Sequence, residues 1–219
     1  MATILNETLK QRYAALQAER ERTWPAEQLE GNARQRRTLV ERFDPAAVAQ
    51  FGDILPAHDL VDVDGGTLNL DALTESGPVV LIFFRFAGCP ACNIALPHYG
   101  EALYPALREQ GIDIVAVSPQ QPDRLRAIRD RHALPFAVAT DSDNALARSL
   151  GIAFEPDDRP APPPPGWIGE VTGTGNWDLP QPAVLLLLPG RRVGWLQVSP
   201  DWLDRPEADE VLAAVSARV

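Results

Sequence analysis

The chain opens on a helical pattern. Leu5, Leu9, Tyr13 and Leu16 recur at spacings of four, four and three, which lays an apolar stripe along a charged helix within residues 4–42. Pro25 divides this stretch, and a second helix is expected over about 26–42. From Gly52 the pattern becomes extended. Leu60-Val61-Asp62-Val63, the turn signal Asp64-Gly65-Gly66 and the alternating Thr67-Leu68-Asn69-Leu70 predict a β-hairpin. Continuous apolar runs at 79–86, 112–118 and 136–140 predict buried strands. Helices are expected between them at 90–110 and 122–132, the first with Pro90 in its opening turn, a kink at Pro97 and a stop at Gly111. Residues 144–150 predict another helix, capped by Asp141, Ser142 or Asp143 and stopped at Gly151. Strand and helix alternating through short connections predict a parallel α/β sheet.

The last third differs. Residues 157–166 are proline-rich and polyproline-like, and read as a surface loop or, alternatively, a docking peptide. Residues 183–188 and 193–198, joined by Pro189-Gly190, predict an antiparallel pair. A closing helix is expected over about 205–218, with Asp204 as N-cap, Glu207 as capping-box partner and Val211, Leu212 and Val215 on its apolar side. The domain reading is a helical extension at 1–50 followed by one α/β domain at 51–219.

Composition narrows the partners. The net charge is −10, Lys10 is the only lysine, and the arginines form no long cluster, which argues against nucleic acid and anionic membrane surfaces. No apolar run approaches the ~20 residues of a membrane span. The start lacks a basic n-region and an apolar h-region, so the expected location is cytoplasmic and reducing. In such a compartment a Cys-x-x-Cys is more often catalytic than structural.

The chain's two cysteines form such a motif, Cys89-Pro90-Ala91-Cys92, at a strand-to-helix junction. A helix N-terminus offers unpaired N–H groups and a positive dipole end, both of which favour thiolate, the nucleophilic form. Cys92 lies one turn on, close enough to close a disulfide. A structural disulfide and half of a metal site are the alternatives. A bridge this short constrains the unfolded chain little. A structural zinc wants four ligands, and His58, His98 and His132 are not paired at ligand spacing, so no metal or cofactor is expected. His98 is a candidate base, or a partly exposed helix residue. Trp167, Trp177, Trp195 and Trp202 are groove or core candidates, with core favoured. Asp113 reads as the acidic start of a strand, and Arg124, Arg126, Arg129 and Arg131 as a solvated helix face.

Several stretches in order resemble the AhpC/TSA peroxiredoxin-like family of the thioredoxin fold. They are Gly52-Asp53-Ile54-Leu55-Pro56-Ala57-His58-Asp59-Leu60, Phe84-Arg85-Phe86-Ala87-Gly88-Cys89-Pro90-Ala91-Cys92-Asn93, Val117-Ser118-Pro119-Gln120 and 140–148, then 177–183 and 201–207. The resemblance implies a central mixed β-sheet flanked by helices, here with an N-terminal helical extension and an N-terminal β-hairpin. It implies that Cys89 attacks a peroxide to give a sulfenic acid, that Cys92 resolves it as a disulfide, and that a dithiol such as thioredoxin reduces that disulfide. It implies a cis-proline at Pro182 and, at family level, a homodimer.

The chain departs from the family at three places. Phe86 stands where peroxiredoxins carry Thr or Ser. Pro180, Gln181 and Pro182 stand where they carry an arginine. Gly88 and Ala91 replace aromatic residues of many relatives. Arg85 or Arg205 then supplies the missing positive charge, or each is a surface arginine. A peroxiredoxin-like peroxidase is the first reading, and a thioredoxin-type disulfide reductase using the same pair is the second. The third is a non-catalytic module that binds a partner through its N-terminal helices or proline segment.

Overall fold

The computed structural model describes residues 7–157 and 159–219. The start of the first helical pattern, with Leu5, and Asp158 of the proline-rich segment lie outside the described residues. Helices α1 (Leu9–Thr23) and α2 (Ala26–Arg42) part at Pro25. Thr8 and Gln11 form a capping box at the start of α1. Strands β1 (Asp59–Asp62) and β2 (Thr67–Asn69) make the hairpin. Leu70 leaves it to open a short helix, α3 (Leu70–Leu73), because the Asn69 side chain accepts from Asp71 and Ala72 N–H groups.

The central units are β3 (Val79–Phe83), α4 (Pro90–Ala102), α5 (Tyr104–Glu109), β4 (Asp113–Ser118), α6 (Pro122–His132) and β5 (Ala137–Thr140). A 3-10 turn at Ser142–Asn144 leads into α7 (Ala145–Ser149), held by the Asp141 carboxylate, which accepts from Leu146 and Ala147 N–H groups at 3.0 and 2.9 Å. The two-residue strands β6 (Ala153–Phe154) and β7 (Leu179–Pro180) pair across a segment that includes α8 (Ile168–Thr172). Strands β8 (Ala183–Leu188) and β9 (Arg192–Val198) and helix α9 (Ala208–Ser216) close the chain.

The main sheet has the order β2-β1-β5-β4-β3-β8-β9. β3, β4 and β5 are parallel, while β1, β8 and β9 join antiparallel. The sheet is therefore mixed, as the family resemblance implies, rather than the parallel sheet that the strand–helix alternation predicts. The alternation of side chains along each strand builds two cores. Leu81, Phe83, Val115, Val117, Leu185 and Leu187 face α7. Val80, Ile82, Ala116, Val184 and Leu186 face α1, α4 and α9, together with both cysteines.

Three boundaries differ from the sequence pattern, and two of them shape the site. β3 stops at Phe83, so 84–89 form a loop. The helix at 90–110 accommodates Pro97 but breaks at Leu103, ahead of Pro105, which cannot donate back to Glu101. The closing helix begins at Ala208, with Glu207 as its N-cap and not as the partner of Asp204. Pro206 disfavours helix at Arg205, so Asp204, Arg205 and Pro206 stay outside α9.

Glu207 also docks α1. Its two carboxylate oxygens accept the Leu9 and Lys10 N–H groups at 2.9 and 3.0 Å, capping the helix and complementing its dipole. Glu207→Ala should cost roughly 1–2 kcal/mol in denaturant unfolding and speed hydrogen exchange at the Leu9 and Lys10 amides. Unchanged exchange at those amides would show that α1 is held elsewhere.

Candidate active site

The site starts from the loop at 84–89. Cys89 N–H donates to the Phe86 carbonyl at 3.1 Å, which turns the chain into α4. Ala87 N–H donates to Gln120 Oε1 at 2.7 Å, and the Ser118 hydroxyl donates to the Arg85 carbonyl at 3.0 Å. Asn93 Nδ2 donates to the carbonyls of Ala87 and Cys89 at 2.8 and 2.9 Å, while its oxygen accepts from Arg131 at 2.9 Å. These polar contacts leave the loop little freedom.

Cys89 is the N-cap of α4, Pro90 is its first residue, and Cys92 lies in its first turn. Both cysteines are free thiols, 3% and 0% exposed. Tyr13 of α1 donates its hydroxyl to the Ala91 carbonyl at 3.4 Å. Burial holds the Tyr13 phenol protonated, against the pull of Arg205.

Arg205 is buried and donates Nη2–H to Cys92 Sγ at 3.3 Å and Nε–H to the Trp202 carbonyl at 3.2 Å. Burial works against this cation, but Tyr13, Cys92 and Cys89 outweigh it and Arg205 stays charged. Arg85 stacks its guanidinium over the Trp202 ring, 4.3 Å from the centroid.

The charge within the pair is uneven. The thiol of Cys89 donates to Cys92, and that bond, burial and the neighbouring sulfur push Cys89 above the ordinary thiol range, against Arg85 and Arg205. At Cys92 burial opposes ionisation. The hydrogen bond from Cys89, the charge and hydrogen bond of Arg205 and the backbone N–H of Arg85 overcome it and hold Cys92 well below that range. The resting thiolate therefore sits on Cys92, not on Cys89 where the helix terminus alone would place it. A cation in hydrogen-bond contact outweighs a partial helix charge.

The remaining candidates divide. Phe86 lies against Gly88, where an added Cβ would meet the ring at 3.1 Å, so this position presents an aromatic face and no hydroxyl. Gly88 and Pro90 are exposed beside the buried Cys89. Pro182 is trans, contrary to the cis-proline expectation. Gln181 N–H donates to Ile152 and the Pro182 carbonyl accepts from Ser199 N–H, so backbone pairing on both sides holds an extended chain there. The cis bond among the described residues is Ala161–Pro162.

His98 is buried rather than partly exposed. Burial lowers its pKa, and its ring faces Glu207 at 3.6 Å. Trp202 is core, while Trp167 and Trp177 pack against each other with ring centroids 4.8 Å apart and planes tilted by 52°. Arg124, Arg126, Arg129 and Arg131 form the expected solvent-facing side of α6, all exposed but the half-buried Arg129. They hold Glu170 and Val171, Val63, Asp64 and Asn93 respectively.

Sequence reasoning singles out neither Asn93, Gln120 and Ser118 as loop holders nor Tyr13 and Arg20 as neighbours of the site. The first three stand inside segments that carry the family resemblance. Tyr13 shows in the sequence only as part of an apolar stripe. Among the described residues, no group of three or more His, Cys, Asp or Glu is placed to hold a metal, and no helix is long and apolar enough to cross a membrane.

Residues 51–193 match the AhpC/TSA family. The thiol-disulfide oxidoreductase ResA of Halalkalibacterium halodurans is 30% identical over 113 residues, which are 50% of this chain and 61% of that protein. Peroxiredoxin Bcp of Escherichia coli is 26% identical over 101 residues, 46% of this chain and 64% of Bcp. The chain thus spans less than two thirds of either relative. Among solved structures, peroxidoxin BcpB from Mycobacterium tuberculosis aligns with a TM-score of 0.60 at 20% identity, covering 77% of this chain and 97% of that one. Peroxiredoxin Q from Xanthomonas campestris aligns at 0.58 with 22% identity, covering 76% of this chain and 97% of that one. These likenesses establish the fold.

Removing the Arg205 charge removes a force that favours thiolate, so ionisation needs a higher pH. In Arg205→Met, the first ionisation of the cysteine pair, followed by ultraviolet thiolate absorbance, should move upward in pH. A shift downward, or none, would show that Arg205 does not hold the Cys92 charge.

Proposed function

The chain belongs to the AhpC/TSA family, and on that premise we propose that it is a thiol oxidoreductase that reduces hydroperoxides through Cys89 and Cys92. The observation that carries this reading is a buried dithiol at a helix N-terminus, with a guanidinium that donates to Cys92 Sγ at 3.3 Å.

The arrangement supplies its own base. Cys89 passes its proton to the neighbouring Cys92 thiolate and attacks the terminal peroxide oxygen. The O–O bond breaks, the leaving alkoxide takes the proton from Cys92 and departs as the alcohol, and Cys89 becomes a sulfenic acid. The Cys92 thiolate then attacks the Cys89 sulfur. Hydroxide leaves, takes a proton from solvent as water, and the disulfide closes. A dithiol such as thioredoxin returns the pair to the reduced state by exchange. No cofactor or metal enters this scheme.

Two observations favour a second reading, a disulfide reductase. Phe86 offers no hydrogen-bond donor to a peroxide, and the ResA relative is named a thiol-disulfide oxidoreductase. The same cysteine pair serves both.

Reduced protein mixed with hydrogen peroxide or an alkyl hydroperoxide should oxidise much faster than a free thiol and end in a Cys89–Cys92 disulfide by mass spectrometry. Oxidation at the free-thiol rate would move the reading to disulfide substrates. Cys89→Ser should consume no peroxide. Cys92→Ser should accumulate a Cys89 sulfenic acid trapped by dimedone, with turnover on a dithiol reduced by roughly 10²-fold or more through loss of the internal base. Normal turnover in Cys92→Ser would sink the two-cysteine scheme.

A further inference from the structure

Positive charge at the cysteine pair exceeds what its neighbours neutralise. Arg205 spends Nη2 on Cys92 and Nε on Trp202, and its buried Nη1 finds no acceptor. Arg85 gives its backbone N–H to Cys92 and stacks its guanidinium on Trp202, and its buried Nε finds no acceptor. The third cation comes from the N-terminal extension. Arg20 of α1 is 5% exposed, with its guanidinium 4.7 Å above the Trp24 ring and with neither Nε nor Nη1 accepted. Arg20 follows Leu9 and Tyr13 on the buried stripe of α1, and it interacts electrostatically with both Cys89 and Arg85.

The adjacent carboxylates are committed elsewhere. Asp201 takes both Nε and Nη2 of Arg36 at 2.7 Å. Glu207 holds the start of α1. The cysteine pair, with one negative charge between its two sulfurs, therefore lies among three largely buried guanidinium groups. A buried charge without a partner is costly, and guanidinium groups match carboxylates with paired N–H donors.

We propose that Arg20, Arg85 and Arg205 form an anion subsite beside Cys89 that receives a carboxylate on the oxidant, so that the substrate is an organic hydroperoxide bearing a carboxylate. The proposal rests on the cysteine-pair reading above and adds the substrate class. It gives α1 a part in recognition: the unpaired edges of Arg20 and Arg85 hold the carboxylate while Cys89 faces the peroxide group.

The test uses the reduced full chain and two alkylating agents of nearly equal size, anionic iodoacetate and neutral iodoacetamide, with modified cysteines located by mass spectrometry. Burial and thiolate fraction affect both reagents and cancel in the ratio of their rates. The iodoacetate-to-iodoacetamide ratio should exceed that of a small free thiol by about tenfold, the scale of one charge-assisted contact. Arg20→Gln should lose most of this preference and Arg20→Lys should keep part of it, each with a wild-type circular dichroism spectrum. A wild-type ratio equal to that of a free thiol overturns the proposal without any variant.

In the wild type, added hexanoate should slow alkylation by iodoacetamide. Protection by sulfate but not by hexanoate would show an inorganic oxyanion site and overturn the substrate class. The ratio is independent of peroxide turnover. Slow oxidation with a high ratio would sink the peroxidase reading alone, and fast oxidation with a free-thiol ratio would sink the subsite alone.

Discussion

The contact between Arg205 and Cys92 organises the molecule. A guanidinium and a sulfur meet at 3.3 Å in a region closed to solvent. Neither group would accept that burial alone, since an unpaired charge in a core costs several kcal/mol. Each makes the other's ionised form tolerable. The stretch that delivers Arg205 does more than carry one side chain. Trp202 fills the core beneath Arg85, the Pro206 carbonyl accepts the Tyr99 hydroxyl at 2.7 Å, and Glu207 caps α1. The short segment 202–207 thus sets the floor of the site, its charge and the position of the helix that covers it.

That segment also marks where the sequence stops being legible. The apolar runs identify strands because strands buried on both faces must be apolar throughout, and the hairpin at Asp64-Gly65 follows from turn chemistry. The start of the closing helix does not show in the pattern. Asp204 and Glu207 satisfy the spacing of a capping box, but Glu207 and Glu210 offer a competing cap, with the Glu207 N–H donating to Glu210 at 2.8 Å. Pro206 decides between them by holding Arg205 out of the helix. The choice matters, because it turns Arg205 inward. In the sequence alone, that arginine stands between an active-site role and the surface.

Arg20 is illegible for a different reason. An arginine on a charged helix belongs by default to the solvated face, and only the docking of α1 shows otherwise. That docking depends on Glu207, 198 residues away in sequence from Leu9. The loop holders Asn93, Gln120 and Ser118 stand in recognised segments, but their partners are backbone carbonyls and one N–H of the loop itself, which no side-chain pattern announces. The trans bond at Pro182 belongs to the same class, flanked by backbone pairing with Ile152 and Ser199 that no residue pattern shows.

Burial then constrains how the proposed chemistry proceeds. At 3% exposure, between the exposed Gly88 and Pro90, Cys89 leaves an oxidant little room, and a protein dithiol must bring its own sulfur into line with the disulfide. Two elements bear on that approach, and they are not equally free. The loop at 84–89 is tied by Gln120, Ser118 and Asn93, and moving it breaks several buried hydrogen bonds at once. Helix α1 covers the pair through one apolar and aromatic face and is fastened at its start by a single carboxylate. Its polar fastenings, at Glu207 and at the Ala91 carbonyl, are separate from the hydrogen bonds that tie the loop. In the proposed cycle α1 therefore brings Arg20 toward the oxidant, while the tied loop keeps Cys89 in place.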